Sequence, residues 1–427
     1  MTSQLVNMSS SNVFTRDSRL LEAISWLLPL SLAAGSDFWV FEWMGISWYA
    51  YRVVVFLTAA LALADILMVR RRVLGWQAAW LLFMAVWFFW SLFNRPDSIQ
   101  STEWKKSIYY ILVAGATLLS FYYLSFCRMQ KSIIHASVAG FVVNAAVSVV
   151  QMLTSIRPES SFATQLANYS SEHVVRFAPS GMFGNPNHFT FYVCAQLFLV
   201  YTFRRYMSFT LRVILYILGS LLIAFAQSRL GMMAMALMGL LMVIENRHWL
   251  RIQSARMLRP LVYSLVFLAA LVVSTKWVNT RTIALMREAA RGDVLQVKSS
   301  GDADRWNLIQ CGMEMIQSSN YLGVGAGQFA TAAQSSGCQI GSMRNPHCGF
   351  IEIASESGIV VFALLIVAVV FFVWSGRKEP FALKALTWAG MLCFLQFANS
   401  SFVSIPVAWF FMAWPFLISS TEKEELN

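Results

Sequence analysis

Residues 359–374 read IVVFALLIVAVVFFVW, a run without a single charged side chain. A strand of a membrane barrel would alternate apolar with polar residues, so this run predicts a helix in lipid. Residues 53–63 repeat the pattern. Over the 427 residues, 58% of the side chains are hydrophobic and 12% are charged, about half of the charged share of soluble domains. This composition excludes a soluble enzyme, a disordered chain and a disulfide-stapled secreted domain.

The apolar runs predict an all-α polytopic membrane protein with about twelve transmembrane helices. The predicted spans are residues 20–35, 46–69, 73–93, 107–126, 132–155, 186–203, 211–227, 230–245, 260–277, 350–374, 384–398 and 401–419. We interpret the first run as a span and not as a cleaved signal peptide, because a largely polar lead of 19 residues precedes it.

The net charge of +11 is distributed in a way that indicates topology. The gaps after even-numbered spans hold fifteen Lys and Arg residues, among them Arg70-Arg71-Arg72, and the shorter odd-numbered gaps hold far fewer. We therefore expect cytoplasmic termini and no nucleic-acid partner. The expected organisation is residues 1–277 with helices 1–9, residues 278–349 as an outer helical loop, and residues 350–427 with helices 10–12 and a cytoplasmic tail.

The outer loop is expected to be folded. Four apolar residues recur at steps of three and four, which places one apolar stripe on a helix: Trp306, Ile309, Met313 and Ile316. Asp302 is the expected N-cap of this helix, which would put Arg305 in its first turn. A cation there opposes the helix dipole, so either an anion binds or Arg305 is solvated.

Three further features of the loop carry alternatives. Asp302-Ala303-Asp304 could hold a divalent cation, although capping explains Asp302 equally well. The stretch 323–327 (GVGAG) is interpreted as a turn, because no strand precedes it. Three cysteines could face an oxidising compartment and two of them could pair, but the spacing does not choose between them: Cys311, Cys338 and Cys348.

His347 is the main candidate for chemistry. It follows Asn345 and Pro346 where the tenth span begins. Asn favours the N-cap and Pro the first helical position, so His347 is predicted in the first turn. The helix dipole there disfavours imidazolium, which leaves a neutral ring able to act as a general base. A histidine that is merely hydrogen-bonded to the backbone is the alternative.

Two other sites compete with His347 or support it. Asn185-Pro186-Asn187-His188 opens the sixth span in the same way, so His188 is the main rival and, with Asn187, a candidate for substrate binding. Arg229 lies in a tight turn between the seventh and eighth spans. It either binds substrate or extends to headgroup phosphate.

Glu352 and Glu356, four residues apart, point to one side of the tenth span. Carboxylates are costly in the membrane, so they are either functional or packed against a polar group of another span, such as Arg52. Arg52 is itself a candidate substrate-binding residue.

Several of these motifs stand in a recognisable order. Ser228-Arg229 opens a span, Asp304-Arg305-Trp306 and the Gly-rich turn lie in the outer loop, and Pro346-His347 leads into Glu356-Ser357-Gly358-Ile359. This order, over roughly residues 180–375, resembles the O-antigen ligase and O-antigen polymerase superfamily. One position departs from the resemblance, because the family usually has Asn directly after this His and the chain has Cys348.

The resemblance implies a glycosyltransferase of the C type in the bacterial inner membrane, with its active site facing the periplasm. The donor would be an undecaprenyl-diphosphate-linked glycan that enters from the membrane lipids, and no cofactor or metal is implied. Arg229 and Arg305 would hold the diphosphate, and His347 would be the catalytic base. A diphosphate whose charge is neutralised is a good leaving group and needs no general acid. The transfer is then expected to be a single displacement, which inverts the anomeric centre.

The acceptor separates the members of the superfamily. We expect a ligase that uses a lipid A-core sugar hydroxyl, because the chain is compact and has a single large outer loop. A polymerase acting on a second lipid-linked glycan, or a protein O-oligosaccharyltransferase, is the alternative. A transporter is the alternative from another class, with Asp65, Glu352 and Glu356 along its path. The three candidates Arg229, Arg305 and His347 fall at one predicted face, unlike a midplane transport site.

Overall fold

The structure, a computed structural model, describes residues 18–35, 41–43, 46–69, 75–94, 102–154, 179–226, 228–245, 300–338, 345–377, 381–397 and 401–418. In these residues the chain forms α1 Ser18–Ala33, α2 Ala50–Val69, α3 Gly75–Phe93, α4 Thr102–Phe126, α5 Gln130–Thr154, α6 Pro186–Thr202, α7 Phe209–Phe225, α8 Arg229–Glu245, α9 Ser300–Ser318, α10 Phe329–Ser335, α11 Gly349–Ser375, α12 Phe381–Leu395 and α13 Pro406–Met412. A single 3-10 turn, Arg204–Tyr206, follows α6.

The helices confirm the predicted class of the protein. Among the described residues, five helical segments are long and apolar enough to cross a membrane: Ala50–Leu67, Gly75–Phe93, Thr102–Phe126, Gln130–Thr154 and Gly349–Ser375. Three shorter apolar helical segments accompany them: Thr210–Phe225, Ala382–Leu395 and Pro406–Ile418. The chain is therefore a multi-pass helical membrane protein. The total of twelve spans remains a prediction, and the predicted span at 260–277 lies outside the described residues.

One predicted span starts too early. Residues 46–48 form strand β2, Ile46–Trp48, which pairs antiparallel with β1, Phe41–Trp43. The hairpin places Phe41 opposite Trp48, and their rings stack at 6.2 Å between centroids. Helix α2 consequently begins only at Ala50.

Small residues and aromatic rings join the helices. A Cβ added to Gly140 of α5 would lie 2.5 Å from Cβ of Ala33 in α1, so only hydrogen fits there. Further along the bundle, the rings of Trp87 in α3 and Trp409 in α13 lie 5.3 Å apart. Because lipid provides no hydrophobic driving force between helices, such close packing holds the bundle together.

Helix α9 lies on α11 through a different face from the predicted one. Trp306 and Met313 are 60% and 48% exposed. The buried residues of the helix are Leu308, Cys311, Gly312, Met315 and Ile316. The predicted stripe is therefore wrong at Trp306 and Met313, although Ile316 is buried as predicted. Gly312 sets the contact, since an added Cβ would meet Cγ2 of Ile351 at 2.2 Å. We call the end of the bundle that carries α9 the loop end.

The Gly-rich turn docks on a break in α11. Gly358 has φ of +84° inside the helix, a conformation that favours glycine. Three backbone hydrogen bonds join the turn to the helix: Val324 N–H to Ser355 O at 2.8 Å, Gly325 N–H to Glu356 O at 2.9 Å, and Ile359 N–H to Tyr321 O at 2.9 Å. We call residues 321–327 and 355–359 the loop clamp. The predicted turn is confirmed, and it forms one unit with the Glu-Ser-Gly motif.

Helix α3 holds the loop clamp from the side. Trp87 Nε1 donates to Ser357 Oγ at 2.8 Å. Trp90 Nε1 and Asn94 Nδ2 both donate to the carbonyl oxygen of Leu322, at 3.1 and 2.9 Å. These bonds fix the loop segment to the bundle just beyond α9.

Candidate active site

His347 lies just outside α11 and not in its first turn. Cys348 is the N-cap, and the helix begins at Gly349, so the predicted cap by Asn345 is wrong. His347 has φ of +52°, in the left-handed region that few residues other than glycine adopt.

The ring of His347 is neutral at pH 7. Burial, and after it the positive charge of Arg305, lowers the pKa of His347 to about 4. The predicted neutrality is confirmed, but its cause is desolvation and a neighbouring cation. Within the described part of the chain, the buried Nδ1 of His347 has no hydrogen-bond partner. A buried polar atom in that state is a place where a ligand or water can bind.

His188 stands on α6, next to His347. Here the predicted cap is confirmed, because Asn185 Oδ1 accepts from Asn187 N–H at 2.8 Å and Pro186 is the first helical residue. The rings of His188 and His347 lie near enough to each other to interact electrostatically. Buried Nε2 of His188 also has no hydrogen-bond partner among the described residues.

Arg305 completes this group. It lies half-buried on α9, near enough to His347 for their charges to interact. Because α9 begins at Ser300, Asp302 lies inside the helix and is not its N-cap, and Arg305 lies beyond the first turn. The side chains of Asp302 and Asp304 are outside the described part of the structure, so the metal alternative stays a prediction.

Arg229 is the first residue of α8. Ser228 caps this helix, since its Oγ accepts from Gly231 N–H at 3.3 Å. A Cβ added to Gly231 would lie 2.3 Å from Cγ2 of Thr190 on α6, two residues after His188. The backbone of Arg229 therefore starts beside the turn that carries His188, and its side chain is not described.

Arg52 belongs to an aromatic cluster. Its buried guanidinium lies 4.3 Å from the ring centroid of Tyr49, and 5.0 and 5.1 Å from those of Tyr109 and Tyr110. These are cation–π contacts, which favour a cation that has left water. The structure thus brings together His347, His188 and Arg305, and sets Arg52 among tyrosines at the start of α2 and α4.

The two carboxylates of α11 bind backbone. Glu356 accepts from Gly327 N–H at 2.8 Å and from Phe329 N–H at 3.3 Å, and thereby holds the loop clamp. Glu352 accepts from Phe402 N–H at 2.6 Å and from Ser401 Oγ. Backbone N–H groups donate to both carboxylates, and for Glu352 the predicted packing against a polar group of another span is met by Ser401.

A disulfide ties the loop together. Cys311 of α9 pairs with Cys338, which follows α10, and their Cα atoms lie 6.1 Å apart. This resolves the open pairing, and Cys348 is left as a free, buried thiol. Together with Gly312 on Ile351, the bridge sets the position of α9 and hence of Arg305.

One family model matches the part of the chain that carries most of these candidate residues. Residues 214–366 match the family model described as O-Antigen ligase. Over this stretch the chain is similar to the O-antigen ligase family. The resemblance that the motif order suggested is confirmed there, and members of the family are glycosyltransferase-like enzymes. No curated protein and no solved structure matches the chain.

The matched stretch holds Arg229, Arg305 and His347, whereas His188 and Arg52 precede it. Sequence reasoning missed Gln396, which follows α12 and accepts from Phe350 N–H at 3.0 Å. The only signal for it was a polar residue at the end of an apolar span. Each uncharged imidazole can accept a proton through its unsatisfied buried nitrogen. The guanidinium of Arg305 can bind an anion at the same place.

Proposed function

We propose that this protein is an O-antigen ligase, which transfers an undecaprenyl-diphosphate-linked glycan to a sugar hydroxyl of lipid A-core. The observation that carries the proposal is the convergence of His347, His188 and Arg305, from three separate segments, at the loop end. The family match supports it, because the matched stretch contains the residues that the resemblance assigns to the base and the diphosphate.

His347 acts as the general base in this proposal. An uncharged imidazole takes the proton of the acceptor hydroxyl as that oxygen attacks the anomeric carbon. The left-handed backbone at His347 costs about 1–3 kcal/mol, and such strain is typically retained where a side chain must be aimed. Since Arg305 lowers the pKa of His347, a diphosphate bound to Arg305 would raise it again and strengthen the base in the donor complex.

Arg305 and Arg229 hold the leaving group. Guanidinium groups bind phosphate oxygens by paired hydrogen bonds and neutralise charge as the bond to the sugar breaks. Arg229 is assigned this role from its backbone position beside the His188 turn and from the resemblance. His188 and Asn187 at the start of α6 would bind substrate hydroxyl or phosphate oxygens. The transfer would be a single inverting displacement that needs no metal.

A transporter is less well supported, because backbone N–H groups already donate to both Glu352 and Glu356. The Cys311–Cys338 disulfide supports an oxidising, periplasmic location for the loop end, in an inner-membrane protein. The acceptor distinguishes a ligase from the other members of the superfamily, so it is the part of the proposal to test first.

The test is a transfer assay with purified protein in detergent. Undecaprenyl-diphosphate-linked glycan is offered with lipid A-core, with a second lipid-linked glycan, or with a Ser-containing peptide, each with and without chelator. We expect product with lipid A-core alone, at an unchanged rate in chelator. Product with the second glycan or the peptide would make the protein a polymerase or a protein O-oligosaccharyltransferase. A steep loss in chelator would revive the metal at Asp302 and Asp304.

A further inference from the structure

The start of α11 is capped by a residue that directly follows a neighbouring helix. Cys348 occupies the N-cap position, but its side chain makes no cap hydrogen bond. Gln396, which follows directly after α12, supplies the acceptors. Its Oε1 accepts from Phe350 N–H at 3.0 Å, and its backbone oxygen accepts from Gly349 N–H at 3.2 Å. The first two N–H groups of a helix have no partner inside it, so Gln396 satisfies both from outside.

The side chain of Cys348 does not cap the helix because of the chemistry of its thiol. Its sulfur lies near the N–H groups of Phe350 and Ile351, where a capping atom belongs. A thiol sulfur is a weak acceptor, whereas the oxygen of Ser, Asn or Asp caps well. Cys348 instead directs its S–H toward Oε1 of Gln396, at 3.8 Å between sulfur and oxygen. Gln396 is 3% exposed, so water does not replace it as the cap.

The cap bears directly on His347. This residue immediately precedes the N-cap and has φ of +52°, and its ring interacts electrostatically with Arg305 and His188. The hydrogen bonds from Gly349 and Phe350 to Gln396 fix the backbone directly after His347, so loss of the cap removes this support. The strained backbone at His347 is then free to relax, because only a well-held surrounding structure maintains such a conformation.

We infer that Gln396 is a positioning residue for His347, acting through the first turn of α11. The inference rests on the proposed role of His347 as the base. Gln396 touches neither donor nor acceptor in this account. Its effect is on the orientation of the imidazole, so it should alter turnover and the environment of the ring, and it should leave donor binding by the arginines nearly intact.

Gln396→Met removes the acceptor with little change in volume. We expect kcat for transfer to fall about tenfold or more, since a misplacement of about 1 Å can cost a hundredfold, while KM for the lipid-linked glycan changes little. Adding Cys348→Ser should restore most of the rate, because a serine oxygen at that position can cap the same N–H groups. Adding Cys348→Ala is the matched control and should restore nothing.

A second readout does not depend on activity. Diethyl pyrocarbonate modifies uncharged imidazoles, and mass spectrometry can follow each histidine separately. Gln396→Met should speed the modification of His347 at least threefold, and Cys348→Ser should reverse that change. His135, which lies on α5 with Nε2 at 3.4 Å from Tyr206 O, serves as the internal control and should react at an unchanged rate.

The outcomes separate the two claims. If His347→Ala abolishes transfer but Gln396→Met leaves both kcat and the reactivity of His347 unchanged, the inference about Gln396 is wrong and the proposed function stands. A second outcome is that wild-type protein transfers no glycan, while Gln396→Met still speeds the modification of His347 and Cys348→Ser reverses that change. The positioning role would then be supported, and the proposed function would fail. Equal loss in both double variants would also overturn the inference, because rescue requires the serine oxygen.

Discussion

At the scale of single residues, His347 owes its uncharged state to burial and to the cation beside it. With a pKa of about 4, the ring is protonated, and useless as a base, only below that pH. We therefore expect kcat/KM, which reports the free enzyme, to fall as the pH drops through about 4. In the donor complex the diphosphate compensates Arg305, so the acid limb of kcat should lie at higher pH than that of kcat/KM.

Arg305→Gln tests the cause of this shift. Loss of the guanidinium should move the acid limb of kcat/KM upward, toward the ordinary His value of 6.5, and weaken donor binding as well. Steady-state rates between pH 3.5 and 8 (about the range over which His titrates) measure both effects. An acid limb that does not move in the variant would show that Arg305 does not act on His347.

His188 should matter less than His347. Its unsatisfied Nε2 fits a hydrogen bond to substrate, so His188→Ala should reduce kcat by about tenfold, well short of the 10²–10⁴ that a general base contributes. The comparison of kcat for the two alanine variants in one assay decides the ranking. If His188→Ala were the more damaging substitution, the base would have to be reassigned to His188.

The two Asn-Pro sites show what the sequence can and cannot reveal about a residue. The pattern correctly predicts the cap at Asn185, because all its partners lie within three positions. The same pattern fails at Asn345, because the first N–H groups of α11 are taken by Gln396 from another helix. Local capping preferences carry no information about an acceptor that arrives from a distant part of the chain.

At the scale of elements, the loop clamp should be sensitive to one glycine in particular. A Cβ at Gly358 would lie 2.5 Å from the carbonyl oxygen of Leu322, whereas a Cβ at Gly337 meets nothing within 4 Å. Both have positive φ, so both alanine variants bear a backbone cost of about 1–3 kcal/mol. Gly358→Ala should lower the melting temperature further, and equal melting temperatures would contradict a close clamp.

The disulfide should stabilise the loop that presents Arg305. Cys311→Ala opens the bridge to Cys338, which spans 27 residues, and should cost about 2–4 kcal/mol of folding stability. Cys393→Ala, at an exposed free thiol, is the matched control. Thermal unfolding in detergent measures both. A bridge that forms only after export would also be fully oxidised in membranes, and a free Cys311 thiol there would argue against a periplasmic loop end.

Helices were predicted well wherever apolar runs are continuous, because lipid requires an internally bonded backbone. The buried face of α9 was predicted less well. The pattern placed Trp306 and Met313 on that face, but α9 contacts α11 through Gly312 and both side chains are exposed. Nor could the sequence reveal that Glu356 and the Gly-rich turn form one clamp. Their partners are backbone N–H groups, which every residue except proline carries and which therefore leave no pattern.

At the scale of the whole molecule, the helical bundle brings residues that are distant in the chain together at the loop end. Helix α6 supplies His188, α9 supplies Arg305, and the start of α11 supplies His347. Motif order along the chain predicted two of these as partners. Their spatial convergence needed the structure, because the contacts that produce it, at Gly231 and Gly312, are single glycines against neighbouring helices.

The most direct test of this convergence is the initial rate of glycan transfer from undecaprenyl diphosphate to lipid A-core by purified protein, wild type against His347→Ala, in one detergent. Donor binding to each protein is measured in parallel. We expect the variant to bind donor as the wild type does and to transfer glycan at a rate at least about a hundredfold lower. A His347→Ala protein that transfers at the wild-type rate would contradict this expectation.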